Sequence, residues 1–164
     1  MIREMFIEPD NDLHLNFCTG LLLIQELCKN QRGKPVLNIE KFGMCLFLVN
    51  HPLILNRVLA GLGNNQIYLE AVEIENIRSL NPNIEFVTHN TKVRDLVRFM
   101  IINGLITVTE PDTCLLLTEN GEMVTKEMNG WFQQRTQIFA KNLKSIINEP
   151  TTKLLNMTIK SFRA

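Results

Sequence analysis

Between Thr91 and Met123 the apolar positions change from a helical period to an extended one, and this change organises the prediction for the whole chain. Apolar residues first recur at i, i+3, i+4, i+7 and i+8, as Val93, Leu96, Val97, Met100 and Ile101. This spacing puts the five side chains on one face of a helix. Thr91 can cap that helix through its hydroxyl group, and Gly104 can end it in a left-handed conformation.

Two short β-prone runs follow this helix, Leu105–Thr109 and Cys114–Thr118, with the turn sequence EPDT between them. Pro111 fixes φ and Asp112 can bond to its own backbone, so the two runs are predicted to form a hairpin. The sequence ENG then turns the chain again, and a helical period resumes at once. A helix, a hairpin and a second helix in this order predict a winged-helix architecture.

The residues before this unit predict further helices. The first spans Leu13–Asn30, Asn38 can cap the second, and Pro52 suits the first position of a third. Residues 66–89 fit neither period well, so a short strand and a short helix both remain open there. Phe86–Val87 is a candidate strand that would pair with the hairpin.

After the hairpin, the apolar period predicts one long helix over Met123–Ile147, with Gly130 as a candidate kink. Pro150 stops it, and Thr151 or Thr152 caps a final amphipathic helix. The predicted fold class is therefore mainly α (α+β). It has a winged-helix domain over residues 13–125, with N-terminal helices, an extended arm over residues 1–12 and a C-terminal helical extension over residues 126–164.

Charge limits the functions that fit this fold. The chain has 17 basic and 17 acidic residues, so its net charge of zero differs from the basic excess of a dedicated nucleic-acid binder. From Lys126 onward, seven basic residues stand against two acidic ones. This leaves the tail at +5 (7 − 2) and the rest at −5 (10 − 15). Such asymmetry can steer a partner towards one part of the molecule.

Catalytic and metal-binding motifs do not stand out. The four cysteines form no CxxC pair, and the three histidines fall in no ligand motif, so buried reduced thiols in a cytoplasmic protein and no metal or cofactor are predicted. Phosphate-binding glycine motifs and a GxSxG serine are absent from the sequence, which predicts no enzyme activity. Glu73 and Glu75 would share a face of a strand, but a solvated face is the expected explanation. No signal peptide or membrane span is predicted.

Two sets of residues are candidates for contacts. Lys92, Arg94 and Arg98 lie where a winged-helix protein presents its recognition helix, and they are candidates for a DNA or partner contact. Asp95 lies among them, and the hairpin tip carries acidic residues only, so DNA contact is expected to be weak or indirect. The second set, candidates for a partner or self-association interface, follows the C-terminal stripe: Trp131, Arg135, Phe139, Leu155, Ile159 and Phe162.

Several stretches resemble the middle component of bacterial ABC-three-component systems, which are antiphage operons of the Lamassu type. They are KFGMCLFLVNHPLILNRVL, KVRDLVRFMIINGLI and LLLTENGEMV, followed by a long C-terminal helix, and together they lie within residues 13–147. The resemblance implies a non-catalytic accessory subunit that binds an SMC-like ABC ATPase and helps dock or restrain an effector, often a nuclease. The alternative is a homodimeric winged-helix transcription regulator that uses Thr91–Asn103 to bind DNA.

Overall fold

The computed structural model describes residues 13–75 and 91–162. The N-terminal arm and the candidate strand Phe86–Val87 lie outside the described residues. The described elements are helices α1 (Leu13–Leu27), α2 (Ile39–Asn50), α3 (Pro52–Gly61), α4 (Ala71–Ile74) and α5 (Thr91–Ile102), strands β1 (Ile106–Val108) and β2 (Leu115–Leu117), and helices α6 (Glu119–Glu127), α7 (Trp131–Leu143) and α8 (Thr151–Phe162). The fold is mainly helical, as predicted.

Helix α2 is the centre of the core. Every residue from Phe42 to Asn50 is buried, because α1, α3, α5, α7 and α8 all pack against this helix. The predicted cap is confirmed, since the Asn38 Oδ1 atom accepts a hydrogen bond of 2.9 Å from the Lys41 backbone N–H. Helix α1 also contributes to the core, through a continuous buried run from Leu21 to Ile24. Most of the other elements pack against these two apolar helices.

The predicted hairpin is confirmed. Strands β1 and β2 pair antiparallel, with Ile106 opposite Leu117 and Val108 opposite Leu115. A third segment joins them, because the Leu115 backbone N–H donates to the Leu37 carbonyl over 2.8 Å. The hairpin is thus attached to the connection between α1 and α2.

Helix α5 presents most of its predicted face to the core: Val93, Leu96, Val97 and Met100 are buried. Ile101 was predicted to share that face but is 41% exposed, so this part of the prediction is wrong. Because a helix has 3.6 residues per turn, the residue at i+8 does not lie directly above the residue at i. It reaches only the edge of a narrow buried face. The helix ends at Ile102, and Gly104, the predicted stop, follows it with a φ of 68°.

The single long helix predicted over Met123–Ile147 is wrong, because the chain forms two helices there. Helix α6 ends at Glu127, and α7 begins at Trp131. Between them Met128 is extended and Gly130 has a φ of 97°, a conformation that interrupts the helical hydrogen bonds. The break turns α7 against α1, so Phe139 and Leu143 reach the same core cluster as Leu21.

Helix α8 packs on α3 and α2, and Leu154 joins the common core. Two long-range hydrogen bonds hold the C-terminal part in position: Lys41 Nζ donates to the Ile147 carbonyl (2.7 Å), and Arg57 Nη1 donates to the Ser161 carbonyl (2.8 Å). Among the described residues, no single helix has the length and apolarity to cross a membrane. Helices α2 and α3 meet that criterion only when taken together, and they are bent by 115°.

Candidate functional site

The outer face of α5 carries the three basic residues predicted as contacts. Lys92, Arg94 and Arg98 are all exposed, and one helix positions them within two turns of each other. Arg98 Nη1 lies 3.3 Å from the Asp95 carboxylate, and these two side chains are 72% and 64% exposed. Because such an exposed pair contributes little binding energy, Arg98 is available to an external partner at little cost.

The C-terminal turn of α5 is apolar on its outer side. Ile102 is 83% exposed, and Phe99 and Ile101 are 42% and 41% exposed. Phe99 also makes an edge-to-face contact with Phe17 of α1, with ring centroids 5.7 Å apart. This apolar end was not predicted, although the sequence contains a signal for it, because Phe99 and Ile102 lie outside the predicted core stripe.

The tip of the hairpin is acidic. Glu110 and Asp112 are exposed, and the turn from Thr109 to Cys114 contains no lysine or arginine. Phosphate groups would be repelled by these two carboxylates. The hairpin tip therefore offers no cationic group to a nucleic-acid backbone.

A small cavity of about 140 Å³ lies beside the first turn of α7, between α1, α4 and the junction of α2 with α3. Its lining includes Thr19, Glu73, Trp131, Phe132 and Arg135. Trp131 is 52% exposed and Phe132 is 37% exposed. The volume is below the several hundred Å³ of an ordinary small-molecule site, so the cavity suits a single side chain better than a cofactor.

Glu73 and Arg135 form a buried ion pair at this cavity. Arg135 donates from Nε to Glu73 Oε1 over 2.8 Å and from Nη2 to Oε2 over 2.6 Å. Their side chains are only 13% (Arg135) and 8% (Glu73) exposed. The hydrogen bonds to Glu73 raise the pKa of Arg135 above its ordinary value.

Further contacts fix this pair in one geometry. Arg135 Nη2 also donates to the Tyr68 carbonyl over 3.0 Å, and its guanidinium group lies 5.0 Å from the centre of the Phe139 ring. Glu73 Oε2 accepts from the Glu70 backbone N–H over 2.8 Å. The prediction that Glu73 belongs to a solvated face is wrong, because Arg135 neutralises the carboxylate inside the fold. Arg135 is thus bound internally, and Phe139 is buried beneath it.

The remaining interface candidates lie on α8, away from this cavity. Leu155, Ile159 and Phe162 are half-buried. Phe162 stacks on Phe47 of α2 with ring centroids 5.6 Å apart. The structure therefore separates the six C-terminal candidates: three lie at or below the α7 cavity, and three lie along α8, where Leu155 and Phe162 pack against the core.

The described residues include no group of three or more His, Cys, Asp or Glu side chains that could hold a metal ion. The four cysteines, all within the described residues, form no disulfide bond. Burial raises the pKa of Cys45 to about 12, so this thiol is protonated at neutral pH and is a poor nucleophile.

The family model for Middle Component 4 of the ABC-three component (ABC-3C) system matches residues 27–156. The chain belongs to this family. The match runs from the end of α1 into α8 and includes the outer face of α5 and the Glu73–Arg135 pair. As a middle component, the protein has an accessory role and works with the other components of its system. Searches of curated proteins and of solved structures found no match.

Proposed function

We propose that this middle component is a non-catalytic subunit that binds an SMC-like ABC ATPase and helps dock or restrain an effector in an antiphage or antiplasmid defence complex. The family match over residues 27–156 carries this proposal. In this proposal the complex works in the cytoplasm, where the four cysteine thiols stay reduced. The protein supplies binding surfaces, and the ATPase and the effector supply the chemistry.

The order of elements supports a winged-helix assignment for the central unit. Helix α1, the segment at Leu37, helix α2, helix α5 and the β1–β2 hairpin follow one another in the order expected of that fold, with residues 51–90 as an insertion. In this assignment α5 is the recognition helix and the hairpin is the wing. The hydrogen bond from Leu115 to Leu37 supplies the third strand contact.

One observation favours the alternative, a homodimeric winged-helix transcription regulator. The basic residues Arg94 and Arg98 lie on the outer face of the proposed recognition helix. Asp95 beside them and the acidic hairpin tip oppose this function, since a nucleic-acid surface needs a positive potential across both elements. We therefore favour the accessory-subunit function.

The test is co-expression of the tagged chain with the other genes of its operon, followed by purification and mass identification of the bound proteins. We expect to recover an ABC ATPase in a stoichiometric complex. A tagged unrelated protein expressed with the same genes controls for adhesion to the resin. If the chain is recovered alone, as a dimer that shifts promoter DNA, the proposal is wrong and the regulator function replaces it.

A further inference from the structure

The outer face of α5 is a continuous ridge with two chemically different halves. Arg94 and Arg98 lie in its first two turns, and Ile101 and Ile102 lie in its last turn. We name these four residues the α5 ridge. Arg94, Arg98, Ile101 and Ile102 follow one another at i, i+4, i+7 and i+8, so they share one helix face. A single partner surface can therefore contact both halves at once.

Packing on the opposite side of α5 forces the apolar half of the ridge into solvent. Val93, Leu96, Val97 and Met100 are between 0% and 4% exposed, so the helix cannot rotate to cover its outer residues. Ile102 stays 83% exposed as a result, with Ile101 and Phe99 beside it. A single exposed isoleucine is ordinary, but neighbouring exposed apolar residues beside a charged group are typical of an interaction surface.

Charge determines the chemistry of the partner. The ridge holds two arginines, Arg94 and Arg98, and the carboxylate beside them is that of Asp95. This excess complements a surface with acidic side chains. A nucleic-acid backbone would instead meet the carboxylates of Glu110 and Asp112 at the hairpin tip and the apolar side chain of Ile102 at the end of the ridge. Apolar side chains next to charged groups are common in protein interfaces.

We infer that the α5 ridge docks a protein surface of another component of the same system, with carboxylates facing Arg94 and Arg98 and an apolar depression receiving Ile102. The inference rests on the proposed function, because it names the surface through which the complex forms. In this arrangement Ile102 is the anchor that binding buries, and the two arginines set the register of the partner and increase the rate of association.

The experiment uses the full chain co-expressed with the other components of its operon. The two test variants are Ile102→Asp and the charge reversal Arg94→Glu with Arg98→Glu. We expect recovery of the partner to fall by roughly tenfold or more in each case, as is common when an interface anchor is removed. Circular dichroism and thermal unfolding should stay at wild-type values, because these side chains are exposed.

Matched controls lie elsewhere on the surface. Tyr68→Asp changes a residue that is 84% exposed, and Lys141→Glu with Lys160→Glu reverses two exposed charges outside α5. These controls should keep wild-type recovery of the partner. Raising the salt concentration should weaken the wild-type complex more than the charge-reversed complex, since screening acts on the arginine contacts.

The outcomes separate the inference from the proposed function. If the wild-type chain recovers an ATPase and both ridge variants recover as much, the inference is wrong while the accessory-subunit function stands. If the wild-type chain recovers no component, the proposed function fails and the inference fails with it. If the ridge variants keep the partner but lose affinity for a short fluorescent DNA duplex, the ridge is a nucleic-acid surface and the inference is overturned.

Discussion

Arg135 and Glu73 are coupled so tightly that neither should tolerate the loss of the other. In Arg135→Met, the Glu73 carboxylate would remain buried with its two strongest hydrogen bonds removed. We expect the free energy of unfolding in urea to fall by roughly 3–5 kcal/mol, the cost of leaving a charge unpaired inside a protein. Adding Glu73→Gln should recover part of this loss, because the neutral side chain needs no counter-ion.

The Lys144–Glu26 pair is a suitable control for this prediction. Lys144 Nζ lies 3.0 Å from Glu26 Oε2, but the lysine side chain is 51% exposed. Lys144→Met should cost less than about 1 kcal/mol, as is usual for an exposed ion pair. Equal unfolding midpoints for Arg135→Met and Lys144→Met would contradict the structural role of the buried pair.

Cys45 makes stability depend on alkaline pH. Its pKa rises from 9.0 in the unfolded chain to about 12 in the fold, because burial penalises the thiolate. The folded state therefore holds the proton more tightly. The contribution of this proton to the free energy of unfolding is fully present below pH 9 and is lost as the pH rises from 9 towards 12. The free energy of unfolding should fall more steeply above pH 9 in the wild-type protein than in Cys45→Ala, and parallel curves would exclude this contribution.

At the level of elements, Thr118 joins α5, the hairpin and α6. Its hydroxyl group donates to the Gly104 carbonyl over 2.6 Å and accepts from the Gly121 backbone N–H over 3.1 Å. Thr118→Val removes both bonds and keeps the shape, so we expect a loss of about 1–2 kcal/mol in the free energy of unfolding. Thr118→Ser keeps the hydroxyl group and should stay within about 0.5 kcal/mol of the wild type. Equal losses in the two variants would mean that the methyl group matters more than the cap.

Local signals in the sequence predicted the elements that depend on neighbouring residues. Pro111 and Asp112 indicated the hairpin turn, and Asn38 indicated the start of α2, because turns and caps are formed by residues close in sequence. The break at Gly130 was not predicted as a helix boundary, since a glycine inside a helical pattern can be tolerated or can interrupt the helix. The packing of α7 against α1 determines whether the helix continues or breaks at Gly130. The pattern of neighbouring residues carries no information about this packing.

The candidate site was predictable only in part, for the same reason. Exposure of Arg94 and Arg98 followed from the amphipathic period of α5. The pairing of Glu73 with Arg135 spans 62 positions, and no local period relates the two residues. The sequence therefore identified Arg135 as a candidate contact and Glu73 as solvated, whereas the fold uses each to neutralise the other.

In the molecule as a whole, the positive and negative excesses are separated along the sequence, but the fold packs the two regions against each other. Residues from Lys126 onward hold an excess of five positive charges, and the preceding residues hold an equal negative excess. Helices α7 and α8, which carry most of the described basic tail, pack against α1, α2 and α3 in one core. With zero net charge, the molecule as a whole has no general attraction for polyanions.

This balance predicts weak DNA binding by the isolated protein. Helix α5 carries three exposed cationic side chains, Lys92, Arg94 and Arg98, while Asp95 and the acidic hairpin tip subtract from the attraction for phosphates. Because each neutralised phosphate adds about −0.9 to the slope of log K against log salt, we expect a slope no steeper than about −3. Fluorescence anisotropy with a short duplex over a salt series measures this slope. Tight binding at physiological salt that collapses in Arg94→Ala with Arg98→Ala would contradict the prediction, because it would require a nucleic-acid surface that the charges of this fold do not provide.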